Sequence, residues 1–502
     1  MEVPFNDQGV LDESGMLQTF SAYWPHVLIV LSVVLGTPAA IHAAMTKDEV
    51  RAAIGWVGVI LLSPVIGAVL YYVVGINRIR RKTLTLQRAG AITRKGRHHP
   101  ERHDVSDEAV HSRYGGALSA MKHLGDNVSR FSMTSGNTIR MLETGDAAYA
   151  AMLEAIHGAR RSILLETYIF DRDAMGLRFA EALSAAVARG VEVHVLVDAV
   201  GARYSTPSIM QTLRQGGVSA RVFNGNIVMG LRLPYANLRT HRKLLVVDGG
   251  TGFIGGLNIR AAFTTECCGE NVARDTHFRV TGPVVGDLFH IAYEDWQFSG
   301  GGALDGEAWH LEVPVAAPNM SLLARAVASG PDRNLEANQR MLMGAISIAK
   351  NHIRIMSPYF LPERDLISAL ATAARRGVHI DIVVPGTNNL KLVDLAMTAQ
   401  FDQLLKAGCR IWRASGTFNH SKLTVVDGVW SYIGSSNLDP RSLRLNFEID
   451  IEVFDTFFAA QIEEKIGRVL KTAEPVELQA LRARPFSRRL VERITWLWSP
   501  YL

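Results

Sequence analysis

Two long apolar stretches lie near the amino terminus and stand out from the mixed pattern of the remaining chain. Residues 24–44 contain no ionisable side chain other than two histidines, and residues 52–76 carry no charge. Each stretch is long enough to cross the hydrocarbon core of a bilayer, which is about 30 Å thick and needs roughly 20 helical residues. The short polar segment 45–51 joins them. The pattern predicts a two-helix transmembrane hairpin over residues 25–76, after an amino-terminal tail over residues 1–24.

From about residue 136, helical and strand patterns alternate, and their order occurs twice. The first half has predicted helices over 142–161 and 175–188 and predicted strands over 162–170 and 191–197. The second half has predicted helices over 337–349 and 367–375 and predicted strands over 353–356 and 378–384. Strands that alternate with helices are typical of parallel sheets covered on both faces. The sequence therefore predicts an α/β fold of two pseudo-symmetric halves, with mixed or parallel sheets flanked by helices.

The boundary between the halves is predicted at the turn-rich segment 299–303, Ser-Gly-Gly-Gly-Ala. We accordingly expect one domain over residues 136–300 and a second over residues 301–480. An amphipathic segment follows over residues 481–502, where arginines alternate with apolar and indole side chains. Such a segment is typical of the membrane interface, although a helix packed on the body with solvated arginines would have the same pattern.

A basic run follows the second apolar stretch. Residues 78–102 contain nine Lys or Arg and one acid. The loop 45–51, which precedes the second apolar stretch, has only two basic residues, Lys47 and Arg51. The positive-inside bias therefore predicts that the body lies in the cytoplasm. We interpret residues 77–135 as a basic juxtamembrane linker. Its cations would attract anionic lipid headgroups, or they would only fix the topology.

Composition narrows the chemistry. Of 502 residues only three are cysteines, and none of them has metal-like spacing, which argues against a disulfide framework and against a zinc site. Histidines 98, 99 and 103 cluster, but no cysteine or carboxylate pattern accompanies them. These residues therefore predict no metal site. The net charge is a modest +5, and the mean hydropathy of +0.10 is raised locally by the apolar stretches.

One spaced set of polar residues occurs twice, 179 residues apart. In each copy a Lys follows a His by two residues, an Asp by seven and an Asn by seventeen. The members are His241, Lys243, Asp248 and Asn258 in the first copy, and His420, Lys422, Asp427 and Asn437 in the second. A single copy would be a weak signal. Two copies, each after a repeated α/β unit, predict two half-sites that meet in one cleft.

The residue types in this set suit phosphoryl chemistry. Side chains at i and i+2 of a strand share a face, so each His and its Lys are expected to point the same way. Two lysines and two asparagines can hold a phosphate oxyanion. Two imidazoles can act as nucleophile and general acid, provided that one is neutral while the other is protonated.

Carboxylates are expected to orient the two imidazoles. The candidates are Asp275, which follows His241 by 34 residues, and Glu448, which follows His420 by 28. Asp248 and Asp427 belong to the candidate catalytic motif, but both follow a strand and are better suited to cap a turn than to take part in chemistry.

The paired motifs resemble those of the phospholipase D superfamily, and more closely those of the bacterial cardiolipin synthases. The likeness extends over nearly the whole chain and includes residues 64–71, 237–243, 253–258, 357–360, 434–442, 446–448 and 499–502. The resemblance implies an enzyme of the bacterial inner membrane that joins two phosphatidylglycerol molecules into cardiolipin and releases glycerol. It further implies a phosphatidyl-histidine intermediate formed without metal, ATP or any other cofactor. His241 is the expected nucleophile and His420 the expected acid, although the symmetry of the motifs allows the reverse.

Other functions are compatible with the same motifs. Water in place of the acceptor would give a phospholipase D-type hydrolase, and another alcohol would give a headgroup-exchange transphosphatidylase. A membrane-anchored phosphodiesterase or nuclease is less well supported, because the body lacks an obvious aromatic and basic stacking surface, so no nucleic acid partner is expected. A non-catalytic lipid-binding protein is the alternative from another class. The expected partners are phosphatidylglycerol and, as a candidate second substrate, phosphatidylethanolamine, while the oligomeric state stays open.

Overall fold

A computed structural model describes residues 13–47, 49–75, 103–224, 238–311, 314–317 and 321–499. The chain divides into two compact units, Met1–Ile79 and Arg80–Leu502. The basic run over residues 78–102, including His98 and His99, lies outside the described residues.

The amino-terminal unit is helical, with one long helix and two shorter apolar ones. Its helices are Glu13–Leu31, Thr37–Thr46, Val50–Leu62 and Pro64–Leu70, with π-helical turns at Ser32–Gly36 and Tyr71–Gly75. Through the first π-helical turn, residues Ser21–Thr46 form one apolar helix of 26 residues, and its most apolar 18-residue window has a mean hydropathy of 2.1. Among the described residues this is the only helix long and apolar enough to cross a membrane.

The second arm of the predicted hairpin is interrupted, which corrects the expectation of one continuous span. A helix ends at Leu62, and Ser63 has the non-helical dihedral angles φ −143° and ψ 78°. Pro64 then begins the next helix. The proline ring disfavours helical geometry in the preceding residue and removes a backbone donor, so the break lies where the sequence places the proline.

The helices of this unit pack closely through small side chains. Ala39, Ala43 and Ala68 are fully buried, and a Cβ atom on Gly67 would lie 2.6 Å from the carbonyl oxygen of Val59. Small residues allow the close approach of helices that is typical of membrane proteins. The outer surface is apolar instead of polar; Leu62, for example, is 90% exposed. A surface of this kind suits lipid better than water.

The body is built on one continuous sheet. Its strands are β1 Thr134–Leu142, β2 Ser162–Thr167, β3 Glu192–Asp198, β4 Ser219–Phe223, β5 Arg239–Thr240, β6 Leu244–Val247, β7 Thr251–Gly255, β8 His277–Thr281, β9 Leu322–Ser329, β10 His352–Met356, β11 His379–Pro385, β12 Arg410–Ala414, β13 Leu423–Val426, β14 Trp430–Gly434, β15 Asn446–Phe454 and β16 Glu474–Pro475. They are ordered β16-β12-β11-β10-β13-β14-β15-β9-β1-β8-β7-β6-β2-β3-β4, and β5 pairs with β15.

The strand order confirms the predicted internal repeat. Read outward from the antiparallel β9–β1 pair, each half has the same order, so that β15 corresponds to β8, β13 to β6 and β10 to β2. Parallel pairing is confined to β2–β3–β4 and β10–β11–β12, and the pairs between the other strands of the main sheet are antiparallel. The sheet is therefore mixed. The sheet is not wholly parallel, because a tight turn joins each of the motif strands β6 and β13 to an antiparallel neighbour.

Helices cover the sheet and form a core in each half. The helices of the body are Asp107–Tyr114, Gly116–Val128, Gly145–Gly158, Ala174–Ala188, Ile209–Gln215, Thr265–Cys268, Val284–Phe298, Ala337–Ile348, Arg364–Arg375, Lys391–Ala407, Pro440–Arg444, Thr456–Leu470, Leu478–Ala483 and Phe486–Leu497. Helical side chains such as Phe179 and Leu183 pack on the first half of the sheet, and Met341 and Phe401 pack on the second.

The predicted elements recur with small shifts at their ends. The helix predicted over 142–161 begins at Gly145, because the Thr144 hydroxyl caps it by accepting from the Ala147 N–H at 3.2 Å. The strand predicted over 162–170 ends at Thr167, and the following residues turn toward the cavity described below. The α/β fold class with helices flanking a mixed sheet is confirmed.

Candidate active site

The two His–Lys pairs lie just before strands and not on them, which corrects the expectation from the sequence. Residues 241–243 connect β5 to β6, and residues 420–422 precede β13. The backbone of the opposite half holds each segment. The N–H of His241 donates to the carbonyl of Phe447 at 2.9 Å, and the N–H of His420 donates to the carbonyl of Arg274 at 2.7 Å. The extended segments therefore cross between the halves.

This crossing gives each imidazole a carboxylate from the other half. Nδ1 of His241 lies 3.0 Å from Oε2 of Glu448, and Nδ1 of His420 lies 2.8 Å from Oδ2 of Asp275. Both carboxylate side chains are fully buried. The sequence names these two acids but leaves their pairing open, and order along the chain would pair each with the histidine that precedes it. A carboxylate on Nδ1 fixes the ring and leaves Nε2 as the reactive nitrogen.

Electrostatics favour neutral imidazoles in the unliganded site. Burial lowers the pKa of both His241 and His420 to about 4, although the partner carboxylates and their hydrogen bonds act in the opposite direction. The pKa values of Asp275 and Glu448 are held below the usual range by the neighbouring imidazoles and lysines, despite burial. An anionic phosphodiester in the cavity would favour protonation of the two imidazoles, because an opposite charge nearby stabilises the imidazolium cation.

The two lysines lie beside the histidines that they follow. Nζ of Lys243 donates to the carbonyl of His241 at 2.5 Å, and Nζ of Lys422 donates to the carbonyl of His420 at 2.6 Å. Burial lowers the pKa of Lys243 to about 7 and that of Lys422 to about 8. Each ammonium is thus a buried cation whose charge depends on pH close to neutrality.

The two asparagines lie on the wall of the same cavity. Oδ1 of Asn258 accepts the N–H of Ile169 at 3.1 Å, which leaves its amide donor for a ligand. Nδ2 of Asn437 makes a long contact of 3.4 Å with the Ser442 hydroxyl. Both asparagines follow the glycine bend after β7 or β14, where Gly255 and Gly434 have φ values of 156° and 159°. The structure therefore brings both predicted phosphate-binding amides to the histidines.

Asp248 and Asp427 lie elsewhere. The carboxylate of Asp248 accepts the backbone N–H groups of residues 160–162 at 2.8–3.2 Å, and that of Asp427 accepts those of residues 350–352 at 2.7–2.9 Å. Both residues adopt φ +50° in a turn at the far end of β6 or β13 from the lysine. Their place in the candidate catalytic set is therefore corrected: they anchor the motif strand and do not reach the imidazoles.

One cavity of about 330 Å³ joins the half-sites. Besides both histidines and both asparagines, its walls include five aromatic side chains and three arginines: Tyr168, Tyr204, Phe263, Tyr359, Phe418, Arg239, Arg260 and Arg441. Aromatic and cationic walls suit a lipid headgroup with its adjoining apolar part. No pattern in the sequence marks these residues as cavity-lining, although Arg239, Tyr359 and Arg441 lie in segments that carry the family resemblance. Among the described residues, no cluster of His, Cys, Asp and Glu is arranged to hold a metal ion.

Comparisons with known proteins agree with this geometry. The family model described as "Cardiolipin synthase, PLD-like domain" matches residues 152–281 and 342–470, and the model "Phospholipase_D-nuclease N-terminal" matches residues 34–75. Cardiolipin synthase A of Pseudomonas fluorescens is 31% identical over 483 residues, which cover 96% of this chain and 99% of the relative. The cardiolipin synthase of Alkalihalophilus pseudofirmus is 29% identical over 497 residues, covering 97% and 96%.

A solved structure shares the fold. The crystal structure of a phosphatidylserine synthase from Haemophilus influenzae superposes with a TM-score of 0.58 at 16% identity, over 76% of this chain and 100% of that chain. At this identity the likeness concerns the fold alone. The duplicated domain and the full-length relatives together show that the chain belongs to the cardiolipin synthase family of phospholipase D-like enzymes.

Proposed function

We propose that this chain synthesises cardiolipin by moving a phosphatidyl group from one phosphatidylglycerol to a hydroxyl of another, through a phosphatidyl-histidine intermediate. The observation that supports this most directly is the pairing of two buried histidines on one cavity, each with an ionised carboxylate on Nδ1. This arrangement supplies a nucleophile and an acid–base group without a metal.

In the first step Nε2 of His241 attacks the phosphorus of the donor lipid. The bond from phosphorus to the glycerol headgroup breaks, and His420 gives its Nε2 proton to the departing glycerol oxygen. Glu448 stabilises the positive ring of the phosphorylated His241 through Nδ1. Lys243, Lys422, Asn258 and Asn437 bind the non-bridging phosphate oxygens, where negative charge accumulates.

In the second step the primary hydroxyl of the acceptor lipid gives its proton to His420. Its oxygen attacks the same phosphorus, the P–N bond breaks, and His241 returns to its neutral form. The first step needs His420 protonated, whereas burial keeps its pKa near 4 in the unliganded site. We therefore expect the donor phosphate to bind together with a proton, because its charge stabilises the imidazolium.

Trapping the intermediate tests this mechanism. The full chain in mixed micelles is mixed with phosphatidylglycerol labelled at phosphorus and quenched in alkali, since P–N bonds are labile in acid. The expected result is label on the peptide containing His241, and no label in a His241→Ala variant that still binds the lipid. Label on His420 would reverse the assignment. Turnover with inverted configuration at phosphorus and no covalent label would contradict the covalent pathway.

Product analysis tests the choice of acceptor. With phosphatidylglycerol alone, the expected main product is cardiolipin, and a chelator should not change the yield. Phosphatidic acid as main product would instead indicate the hydrolase. A parallel assay with added phosphatidylethanolamine shows whether that lipid also donates or accepts a phosphatidyl group.

We further propose that the chain is a multi-pass membrane protein with its body in the cytoplasm. The apolar helix Ser21–Thr46, the exposed apolar side chains of the amino-terminal unit and the positive charge after residue 77 support this topology. Cys267 is exposed on the body and provides a natural probe. A membrane-impermeant maleimide should label it in inverted vesicles but not in right-side-out ones, with Cys267→Ser as the control in a Cys268→Ser background. The opposite pattern would place the body outside.

A further inference from the structure

The three arginines on the cavity wall differ in their partners. Nε of Arg260 lies 2.5 Å from a carboxylate oxygen of Asp171, and Nε of Arg239 lies 3.9 Å from Asp198. Arg441 forms no ion pair with any carboxylate of the described residues. The acid on the same wall, Asp439, accepts the Ser442 N–H at 2.8 Å and so caps its own short helix. Arg441 is therefore a cation on the cavity wall without a carboxylate at ion-pair distance among the described residues, and its charge acts on Asp439 only at longer range.

Arg441 has no counterpart in the other half of the internal repeat. Arg441 follows the phosphate-binding Asn437 by four residues, and the equivalent position of the first half is Ala262. The two half-sites are thus nearly symmetric around the reacting phosphate, but the arginines of the wall are not. Likewise, Arg239 and Arg260 of the first half have Phe418 and Asp439 at their positions in the second. A reaction between two different roles, donor and acceptor, needs such a difference.

The chemistry of the acceptor supplies a ligand for this cation. In cardiolipin synthesis the attacking hydroxyl belongs to a lipid with its own phosphodiester, so a second negative charge must come close to the first during the attack. Arginine binds phosphate through two parallel N–H donors and stays charged at all relevant pH values. Resting on the proposed function, we propose that Arg441 binds the phosphodiester of the acceptor and thereby selects an anionic lipid over water and neutral alcohols.

Two soluble acceptors, of which only one carries a phosphodiester, test this subsite. Glycerol and glycerophosphoglycerol both offer a terminal glycerol hydroxyl, but only the second is an anion. The full chain receives phosphatidylglycerol as donor with either acceptor in labelled form, and kcat/KM is measured for each. We expect Arg441→Gln to lower the value for glycerophosphoglycerol at least tenfold and to leave labelled glycerol incorporation within about twofold. That incorporation also reports that the variant is folded.

Arg444→Gln is the matched control. Arg444 belongs to the same helix, does not line the cavity and pairs with Glu363 at 2.7 Å. Its substitution should leave the ratio of the two acceptors unchanged. An equal loss for both acceptors in Arg441→Gln would assign Arg441 to the donor phosphate, and no loss would remove it from binding; either result overturns the subsite. Absence of transfer by the unsubstituted chain would instead overturn the proposed function on which the subsite rests.

The carboxyl-terminal helix Phe486–Leu497 is amphipathic, but it buries an acidic side chain against the body and exposes apolar side chains on the opposite face. Glu492 is only 2% exposed and pairs with Arg484 at 2.6 Å. Apolar residues on the other side face outward, with Phe486 72% and Leu497 68% exposed. Leu490, Val491 and Ile494 are also exposed on this surface. Apolar side chains exposed together on one face of a surface helix are typical of a surface that binds a membrane or another protein.

The charges around this surface select the occupant. Arg488, Arg489 and Arg493 belong to the same helix and are exposed or partly exposed. Apolar side chains flanked by arginines match a bilayer with anionic headgroups, where the apolar groups enter the acyl boundary and the cations contact phosphate. We infer that helix Phe486–Leu497 binds the surface of an anionic bilayer.

Lipid-based quenching tests this second inference. In a Cys267→Ser, Cys268→Ser background, the full chain in phosphatidylglycerol-containing nanodiscs carries an environment-sensitive dye at Leu490→Cys, or at Lys471→Cys as an exposed control. We expect spin-labelled lipid to quench the dye at 490 several-fold more than at 471. Equal quenching at the two positions would overturn the inference. Shielding at 490 without lipid quenching would do so as well, because another protein or a second copy would then cover the face.

Discussion

Nδ1 of His241 lies 3.0 Å from Oε2 of Glu448, although 207 residues separate the two in the chain. His420 and Asp275 repeat the relationship with the halves exchanged, at 2.8 Å. Each half thus contributes one histidine and the carboxylate for the other one. Neither half can orient its own imidazole, so the two phospholipase D-like domains form a single active site and not two adjacent ones.

The crossed carboxylates predict that Glu448→Gln impairs catalysis more than stability. Glutamine keeps the size of the side chain and can still accept the Ser435 hydroxyl, which now donates to Glu448 at 2.7 Å. It removes the negative charge that stabilises a phosphorylated His241. We expect kcat to fall by about 10²–10⁴-fold, as for other histidines that lose an orienting carboxylate. Glu463→Gln, which removes the partner of His352 outside the site, serves as the control. A similar kcat for both variants would contradict the assigned role.

The buried lysines predict the alkaline limb of activity. Burial lowers the pKa of Lys243 to about 7 and that of Lys422 to about 8, so the unliganded site loses both cations as the pH rises through this range. The imidazole of His241 is neutral throughout this range and stays neutral as the pH falls well below 7, because its pKa is about 4. Because donor binding takes up the proton of His420, kcat/KM should already fall as the pH rises from 5 to 7. Loss of the lysine charges should make the fall steeper above about pH 7–8. The dependence between pH 5 and 9.5 measures both effects, and Lys243→Arg should move the steeper limb to higher pH. A slope that does not change up to pH 9 would show that these lysines keep their charge.

The spacing shared by the two motif copies predicts most of the residues of the site. What it fails to predict has physical causes. His241, His420 and both asparagines reach one cavity because equal positions in two repeated units must be related by the pseudo-symmetry. The crossed pairing, in which each carboxylate contacts the histidine of the other half, could not be predicted. It depends on backbone pairing between β5 and β15 and between residues 274 and 419. That pairing leaves no periodic signal in either segment. The sequence does show Pro64, but hydropathy alone does not distinguish a kinked span from two short helices.

The turn position of Asp248 predicts a loss of stability with little loss of chemistry. Its carboxylate accepts three consecutive backbone N–H groups, and its φ of +50° is one that Asn and Asp tolerate better than other side chains. Asp248→Ala should therefore destabilise the body by about 1–3 kcal/mol, the cost of leaving such donors unpaired. Asp248→Asn should cost less, because it retains an acceptor. Thermal unfolding measures both, and a kcat per folded molecule within a few-fold of the unsubstituted chain is expected. A thousandfold loss of kcat in stable Asp248→Asn would restore this residue to the catalytic set.

The buried ion pair behind His241 gives the last prediction. The side chains of Arg242 and Asp295 are 1% and 0% exposed, and Nε of Arg242 also donates to the carbonyl of Glu448 at 3.0 Å. Removing one partner of a buried ion pair typically costs about 3–5 kcal/mol, whereas replacing both by apolar residues is often neutral. Arg242→Met alone should thus lower the unfolding temperature strongly, and adding Asp295→Leu should recover most of the loss. Activity should not recover to the same extent, since Arg242 also holds the backbone of the residue that orients His241. A double variant with full stability and full activity would show that this contact is not needed to position Glu448.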